Sequence, residues 1–363
     1  MIDLFTDISD YVALRIPEEY RRPIAIVGAG GIVDGEHLPA YALAGLTVVG
    51  IFDVDQDRAR DVAARHGIPR VYASVEELLA DDEVVVVDIA VPMTAQPPIF
   101  RAAIAAGKNV LAQKPFAATP EIARELADLA TASGLVAAVN QQLRFDEGIA
   151  AAHRMVEQGW IGEVTCFTLT VDATTDWSQW VWAKAMERLE VMVHSIHYHD
   201  TVRWFLGEPA SVYSIGARTP GQYPDGETRT ITSYTFPNGS TALIHANHVN
   251  KGGDNTAEFR IEGTAGAIRG TLGLMYDYPL GRPDTLEVIS TEEAPNGPTD
   301  GWVPYPVTQR WFPHAFIGTM GSVLEAIATG TEPRSSVRDN VKTIELVAAI
   351  YRSIESNEVV RFD

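Results

Sequence analysis

Between Pro23 and Pro39 the chain reads PIAIVGAGGIVDGEHLP, an apolar run that halts at Gly28-Ala29-Gly30-Gly31 and gives way to a helical pattern. Glycines let the backbone turn tightly and approach a pyrophosphate, whose charge then rests on the free N–H groups at the helix N-terminus. Strand, glycine turn and helix in that order make a dinucleotide cradle. Gly28 and Gly30 fill the first two positions of G-x-G-x-x-G/A, while the third is Val33, whose bulk holds the helix slightly further from the sheet. A second apolar run, Leu46 to Phe52, ends at Asp53, where a carboxylate accepts hydrogen bonds from ribose hydroxyls and repels a 2′-phosphate. NAD is therefore favoured over NADP. The plainer alternative makes the glycines an ordinary tight turn and Asp53 a helix N-cap.

At 363 residues the chain exceeds one ordinary core, so two domains are expected. A formal charge of −20 repels phosphate backbones and anionic membranes, which argues against a nucleic-acid partner. The single cysteine, Cys166, cannot form an internal disulfide, and no apolar run reaches the roughly 18 residues of a membrane span. The opening MIDLFTDISDYVALRIPEEYRR lacks a basic-then-apolar layout, so a cytoplasmic location is expected.

From Pro23 strands and helices alternate. Strands are expected at 24–28, 46–53, 84–90, 108–113 and 135–140, with helices at 35–44, 55–66, 96–106 and 119–133. The run Val84 to Ala90 is apolar on both faces, as in a central parallel strand covered by helices. This is α/β rhythm, a Rossmann doubly wound parallel sheet. Ser74 with Glu77 reads as a capping box. After a connecting helix at 147–158 the pattern becomes hairpin-like, with strands at 163–173, 210–217, 228–236, 240–249, 257–262 and 284–289. Asn238-Gly239 is a turn that supplies positive φ angles. A predominantly antiparallel open sheet of an α+β domain follows, packed on a helix from Leu189 to Leu206; 291–310 reads as loop, and helices at 313–329 and 335–356 close the chain. The domain organisation is then an N-terminal extension at 1–22, a cofactor-binding domain at 23–142 and a substrate-binding, oligomerising domain at 143–363.

Lys114, in Gln113-Lys114-Pro115, stands where the fourth of these strands ends, on the sheet edge that binds ligands, and there a lysine can hold a substrate hydroxyl and relay its proton. The alternative is a surface lysine. Glu190, His194 and His197 share one face of a helix, as do His197 and Asp200. Three readings compete: a catalytic acid/base at His197, a divalent metal on Glu190, His194 and His197, and polar positions of a structural helix. One turn offers two ligands more readily than three, so no metal is expected. Trp177, Trp180 and Trp182, with Asp176, Lys184 and Arg188 nearby, suit stacking on a sugar ring, though a tryptophan cluster is more often core or interface. His245 and His248 read as sheet or interface residues.

These residues resemble the Gfo/Idh/MocA family of glucose-fructose oxidoreductase and inositol dehydrogenase. The resemblance runs from Pro23 to the C-terminus through GAGGIVDGEHLPA, Gly107-Lys108-Asn109-Val110 leading to QKP, NQQLRF from Asn140, Gly159 to Val164, SIHYHDTVRWFLG, EGTAGAIRG and RDNVKTIELVAAIYRS. It implies NAD(P)-dependent oxidation of a secondary alcohol on a sugar, inositol or related polyol. It also implies a homodimer or homotetramer formed through the C-terminal sheet. By position Lys114 matches the catalytic lysine and His197 the acid/base histidine, with Asp200 completing H-x-x-D and Glu190 and His194 as further support. Cofactor contacts are expected from Gly28, Gly30, Gly31, Ile32, Asp53, Pro92 and Lys114. Substrate contacts are expected from Asn140, Arg144, Trp177, Trp180 and His197.

Two departures stand out. The aspartate that many relatives place four residues before the histidine is Val193, for which Glu190 or His194 would substitute. Gln113 replaces the customary glutamate and removes a charge beside Lys114. Other readings are a redox-neutral NAD-using lyase or glycosidase of the same family and a non-catalytic NAD or sugar sensor.

Overall fold

The computed structural model describes residues 4–294 and 296–362, so the first three residues of the extension lie outside the described residues. The chain divides into two compact units. One comprises Leu14–Gln142 with Pro313–Glu345; the other holds the described residues up to Ala13, Leu143–Phe312 and Leu346 onward. A single cut at 142 therefore does not describe the division, because 313–345 return to the first unit. Their contacts explain why: Val139 donates its N–H to Ser335 at 2.8 Å, Ala138 bridges to Ser336, and Arg124 pairs with Glu345 at 2.8 Å. The extension divides as well, its helix α1 (Thr6–Val12) lying in the second unit.

The first unit is built on β1 (Ile24–Val27), α2 (Leu38–Leu43), β2 (Val48–Phe52), α3 (Gln56–His66), α4 (Val75–Ala80), β3 (Val86–Ile89), α5 (Gln96–Ala105), β4 (Asn109–Ala112), α6 (Pro120–Ser133) and β5 (Ala137–Val139). The five strands form one parallel sheet in the order β2-β1-β3-β4-β5, with the reversal of strand order at β1. Every residue of β1 and β3 is buried, which is what apolar runs without alternation require. Local chemistry starts and stops the helices: Asp55, Ser74 and Thr119 cap α3, α4 and α6, and Gly67 and Gly134 end α3 and α6 with positive φ. Glu77 completes its box one residue early, accepting from Ala73 rather than from Ser74.

The helix expected at 35–44 is wound differently. Val33–His37 form a π-turn before α2 begins, and Val33 is fully buried. The wider winding accommodates a β-branched side chain where the motif would have glycine.

In the second unit α7 (Glu147–Glu157) leads into β6 (Val164–Asp172), then α8 (Ile196–Leu206), β7 (Ser211–Ala217), β8 (Arg229–Thr235), β9 (Thr241–Asn247), β10 (Thr256–Gly263), β11 (Gly266–Thr271), β12 (Leu286–Ser290) and β13 (Val303–Tyr305). Helices α9 (Trp311–Thr329) and α10 (Val337–Ser356) and strand β14 (Val360–Arg361) end the chain. The sheet order is β13-β12-β11-β10-β6-β9-β8-β7-β14, antiparallel except for the parallel pair β6–β9. Strands β8 and β10 alternate buried and exposed positions, and α8 covers the inner face through Phe205, whose ring lies 5.3 Å from Phe167. The opposite face carries exposed Ile215, Ile231 and Leu243.

Three local expectations change. Strand β13 lies within the segment read as loop. The Asn-Gly turn has positive φ only at Gly239 (+85°), because Pro237 opens a three-residue loop closed by bonds of 3.0 Å between Phe236 and Gly239 and between Phe236 and Ser240. The helix expected from Leu189 is a π-turn at Glu190–His194, then α8 after Ser195. Helix α9 is non-helical at Phe312, the residue before Pro313, where the proline ring disfavours the α conformation.

Candidate active site

Because the first sheet is parallel, its strands all end at one edge, and the candidate residues follow one strand after another. Gly28 to Ile32 follow β1, Asp53 follows β2, Pro92 follows β3, Lys114 follows β4 and Asn140 follows β5. Gly28 has φ +116°, and a Cβ there would lie 2.3 Å from the carbonyl oxygen of Ala90, so only glycine fits beside β3. Gly30 and Gly31 face open space. The Asp53 carboxylate accepts from Ala29 N at 2.7 Å, Asp55 N at 2.8 Å and Arg58 at 2.7 Å. Burial alone would raise its pKa, but these bonds and the Arg58 charge hold it below the ordinary carboxylate value. Asp53 therefore braces the glycine loop, and the N-cap of α3 is Asp55 instead. The loop and the carboxylate together fit a dinucleotide with free ribose hydroxyls.

Lys114 is half-buried, and desolvation lowers its pKa to about 8. Its N–H donates to Gln113 Oε1 at 2.8 Å. Asn140, expected among the substrate contacts, turns its amide nitrogen toward His37 Nε2 at 3.3 Å. His37, Tyr41 and Asp88 form a buried cluster behind this edge that sequence reasoning missed; His37 Nδ1 lies 2.7 Å from Asp88 Oδ2, and the Tyr41 hydroxyl donates to the same oxygen at 2.6 Å.

In the second unit His197 lies in the first turn of α8, buried, with its ring 5.8 Å from that of Trp311. Of the residues expected to share its face, Asp200 lies three positions on in the same helix, while Glu190 and His194 belong to the π-turn before Ser195, whose wider winding changes their spacing. Glu190 accepts from Thr230 at 2.6 Å and Ser195 at 3.0 Å, and its other oxygen lies 3.6 Å from His248 Nε2. Burial, reinforced by the nearby charge of Glu227, raises the Glu190 pKa to about 8 despite those bonds, while burial lowers His248 to about 4 and His199 to about 3. Burial in this cluster thus favours the protonated acid and the neutral imidazoles. The Glu190 carboxyl is engaged away from His197.

His194 packs its ring 4.4 Å from His248 and 4.9 Å from Trp177. Trp177 is buried and gives its indole N–H to the His248 carbonyl at 3.2 Å, and Trp180 meets it edge-on at 5.6 Å. Val193 packs against the apolar cluster of Trp177, Ala183 and Leu189, so the place of the missing aspartate is an apolar one. Trp177 is thus a core residue rather than a stacking platform. The charged neighbours pair elsewhere: Lys184 with Asp225 and Arg188 with Glu355.

Arg144, expected to contact substrate, instead directs its guanidinium to Asp200, with bonds of 2.6 and 2.7 Å. Asp200 likewise serves Arg144 rather than standing open beside His197, and Arg203 lies 3.6 Å from the same carboxylate. Among the described residues no group of three or more His, Cys, Asp or Glu side chains is placed to hold a metal, and no helix is long and apolar enough to cross a membrane.

Known proteins resemble this chain along most of its length. A family model described as an oxidoreductase family with an NAD-binding Rossmann fold (GFO_IDH_MocA) matches residues 22–141, and one described as the GFO/IDH/MocA C-terminal domain matches residues 149–269. D-apiose dehydrogenase of Paraburkholderia graminis is 25% identical over 359 residues, covering 98% of this chain and 93% of its own. Levoglucosan dehydrogenase of Pseudarthrobacter phenanthrenivorans is 26% identical over 280 residues, 69% of each chain. The crystal structure of an oxidoreductase from Agrobacterium radiobacter in complex with NAD+, L-tartaric acid and magnesium matches the fold with a TM-score of 0.82 at 24% identity, over 94% of this chain and 98% of that one.

Proposed function

The chain belongs to the Gfo/Idh/MocA oxidoreductases, whose N-terminal unit binds NAD, and we propose that it transfers a hydride between NAD and a secondary alcohol of a sugar, inositol or related polyol. The row of site residues at the carboxyl edge of the parallel sheet carries this reading, above all Lys114 with its pKa lowered to about 8. His197 accepts the hydroxyl proton, and Lys114 binds the alcohol oxygen and relays charge. The nicotinamide supplies the hydride chemistry when bound, and the protein supplies position and proton transfer. Asp53 favours NAD over NADP because a carboxylate there repels a 2′-phosphate. The relatives named for D-apiose and levoglucosan support a sugar-like substrate.

The exposed apolar residues Ile215, Ile231 and Leu243 on the open face of the second sheet support association of copies into a homodimer or homotetramer. A cytoplasmic enzyme acting on small metabolites is the setting that this reading gives it.

One observation favours a non-catalytic NAD or sugar sensor, Val193 packed in an apolar cluster where relatives carry a proton-bearing aspartate; the other alternative is a redox-neutral lyase or glycosidase. Cofactor that stays bound through turnover, without net NADH, distinguishes that case. The test of the main reading is His197→Ala, which lowers turnover about 10²- to 10⁴-fold while NAD affinity is kept. Undiminished turnover removes His197 from the mechanism.

A further inference from the structure

The amide of Gln113 reveals how the buried cluster behind Lys114 carries its protons. The backbone N–H of Lys114 can only donate, so the atom it meets at 2.8 Å is the Gln113 oxygen, Oε1. The other end of that amide, Nε2, is then the end that faces His37 Nε2 at 3.2 Å. A donor amide requires a lone pair there, so the ring proton of His37 sits on Nδ1 and is donated to Asp88 Oδ2 at 2.7 Å. Asn140 Nδ2 approaches the same His37 lone pair at 3.3 Å. His37, Tyr41, Asp88, Gln113 and Asn140 are all less than a tenth exposed and come from the π-turn, α2, β3 and the ends of β4 and β5. One unambiguous backbone donor thus fixes the tautomer of a ring two bonds away.

We propose that Gln113 is a positioning residue for Lys114: Asp88 and His37 present a lone pair that orients the Gln113 amide, and its oxygen holds the backbone N–H from which the lysine side chain springs. The inference rests on the reading of Lys114 as the residue that binds the alcohol oxygen. Glutamine and glutamate are not interchangeable here. A carboxylate has acceptors only, so facing the His37 lone pair it must take up a proton itself or draw a second one onto the imidazole. The groups that face this pair are Asp88, Tyr41, Asn140 and Lys114, and the Phe316 ring, 4.8 Å from His37, brings no charge.

The first test uses the wild-type chain, with its nine histidines labelled in the ring nitrogens and His37 assigned by the signal lost in His37→Gln. The expected spectrum at neutral pH shows His37 with hydrogen on Nδ1 and a bare, hydrogen-bonded Nε2; hydrogen on Nε2 overturns the proposal, whatever the variants do. The second test compares turnover. Gln113→Met and Gln113→Glu each lower kcat about 10- to 100-fold, with KM for NAD changed less than about twofold. Only Gln113→Glu adds a new ionisation to the pH profile of kcat. Lys114→Met, measured beside them, separates two failures. If it keeps wild-type turnover, the reading of Lys114 falls; if it abolishes turnover while Gln113→Glu keeps the wild-type rate and profile, the positioning role of Gln113 falls alone.

Discussion

Arg144 and Asp200 meet fork to fork, the guanidinium Nε 2.6 Å from one carboxylate oxygen and Nη2 2.7 Å from the other, with both side chains buried. Two parallel charge-assisted bonds fix the second turn of α8, the helix that carries His197 in its first turn. Asp200→Asn keeps the shape and removes the charge, leaving the guanidinium buried without its counter-ion. The expected loss is about 3–5 kcal/mol of stability, read as a fall in the urea midpoint at constant slope. A midpoint equal to that of the wild type would show that the pair contributes nothing.

If Lys114 relays the hydroxyl proton as proposed, the reaction carries a pH dependence. With its pKa lowered from 10.5 to about 8 by desolvation, it gains a lone pair as pH rises through that value. The rate of alcohol oxidation at saturating NAD therefore climbs through about pH 8 and then levels off. Lys114→Arg stays charged throughout and loses both the climb and most of the rate. A wild-type profile that is flat across this range contradicts the assignment.

Glu190 gives the fold its own dependence. Its pKa in the folded chain, about 8, lies above the ordinary value of 4.5, so the folded state holds a proton that the unfolded state has released. The contribution is fully present below about pH 4.5 and is lost as pH rises through about 8. Stability should fall by roughly 1 kcal/mol per pH unit across that window, and Glu190→Gln, which mimics the protonated form, should flatten the slope. Denaturation midpoints measured at several pH values, with equal slopes in the two proteins, would remove Glu190 as the cause.

The parallel sheet was legible because β1 and β3 are apolar on both faces and the glycine turn interrupts them where a cofactor must approach. That Gly28, Asp53 and Lys114 come to one edge follows from that alternation, whereas their order along it, Asp53, Gly28, Lys114, is set by the strand order β2-β1-β3-β4-β5. Other features depend on winding and on distant partners. Glu190, His194 and His197 have helical spacing in the sequence, but the π-turn turns Glu190 and His194 toward His248 while His197 packs against Trp311. Arg144 and Asp200 are 56 positions apart, and nothing local marks them as a pair. His37 sits inside the glycine motif itself, yet its role depends on Asp88, Gln113 and Asn140, which the sheet brings to it from three other strands. Strand β13 escaped notice because three residues containing a proline carry too little pattern to read.

Hydride transfer between NAD and a sugar-like alcohol is the reaction proposed for this chain. Its most direct test is NADH formation by the purified protein, followed by near-ultraviolet absorbance, with NAD or NADP supplied separately against a panel of sugars, inositols, sugar acids and anhydrosugars. Reduced cofactor is expected with one class of compound, and with NAD in preference to NADP. Silence across the panel, in protein that binds NAD and keeps its fold, contradicts net dehydrogenation and moves the chain to redox-neutral or sensing chemistry.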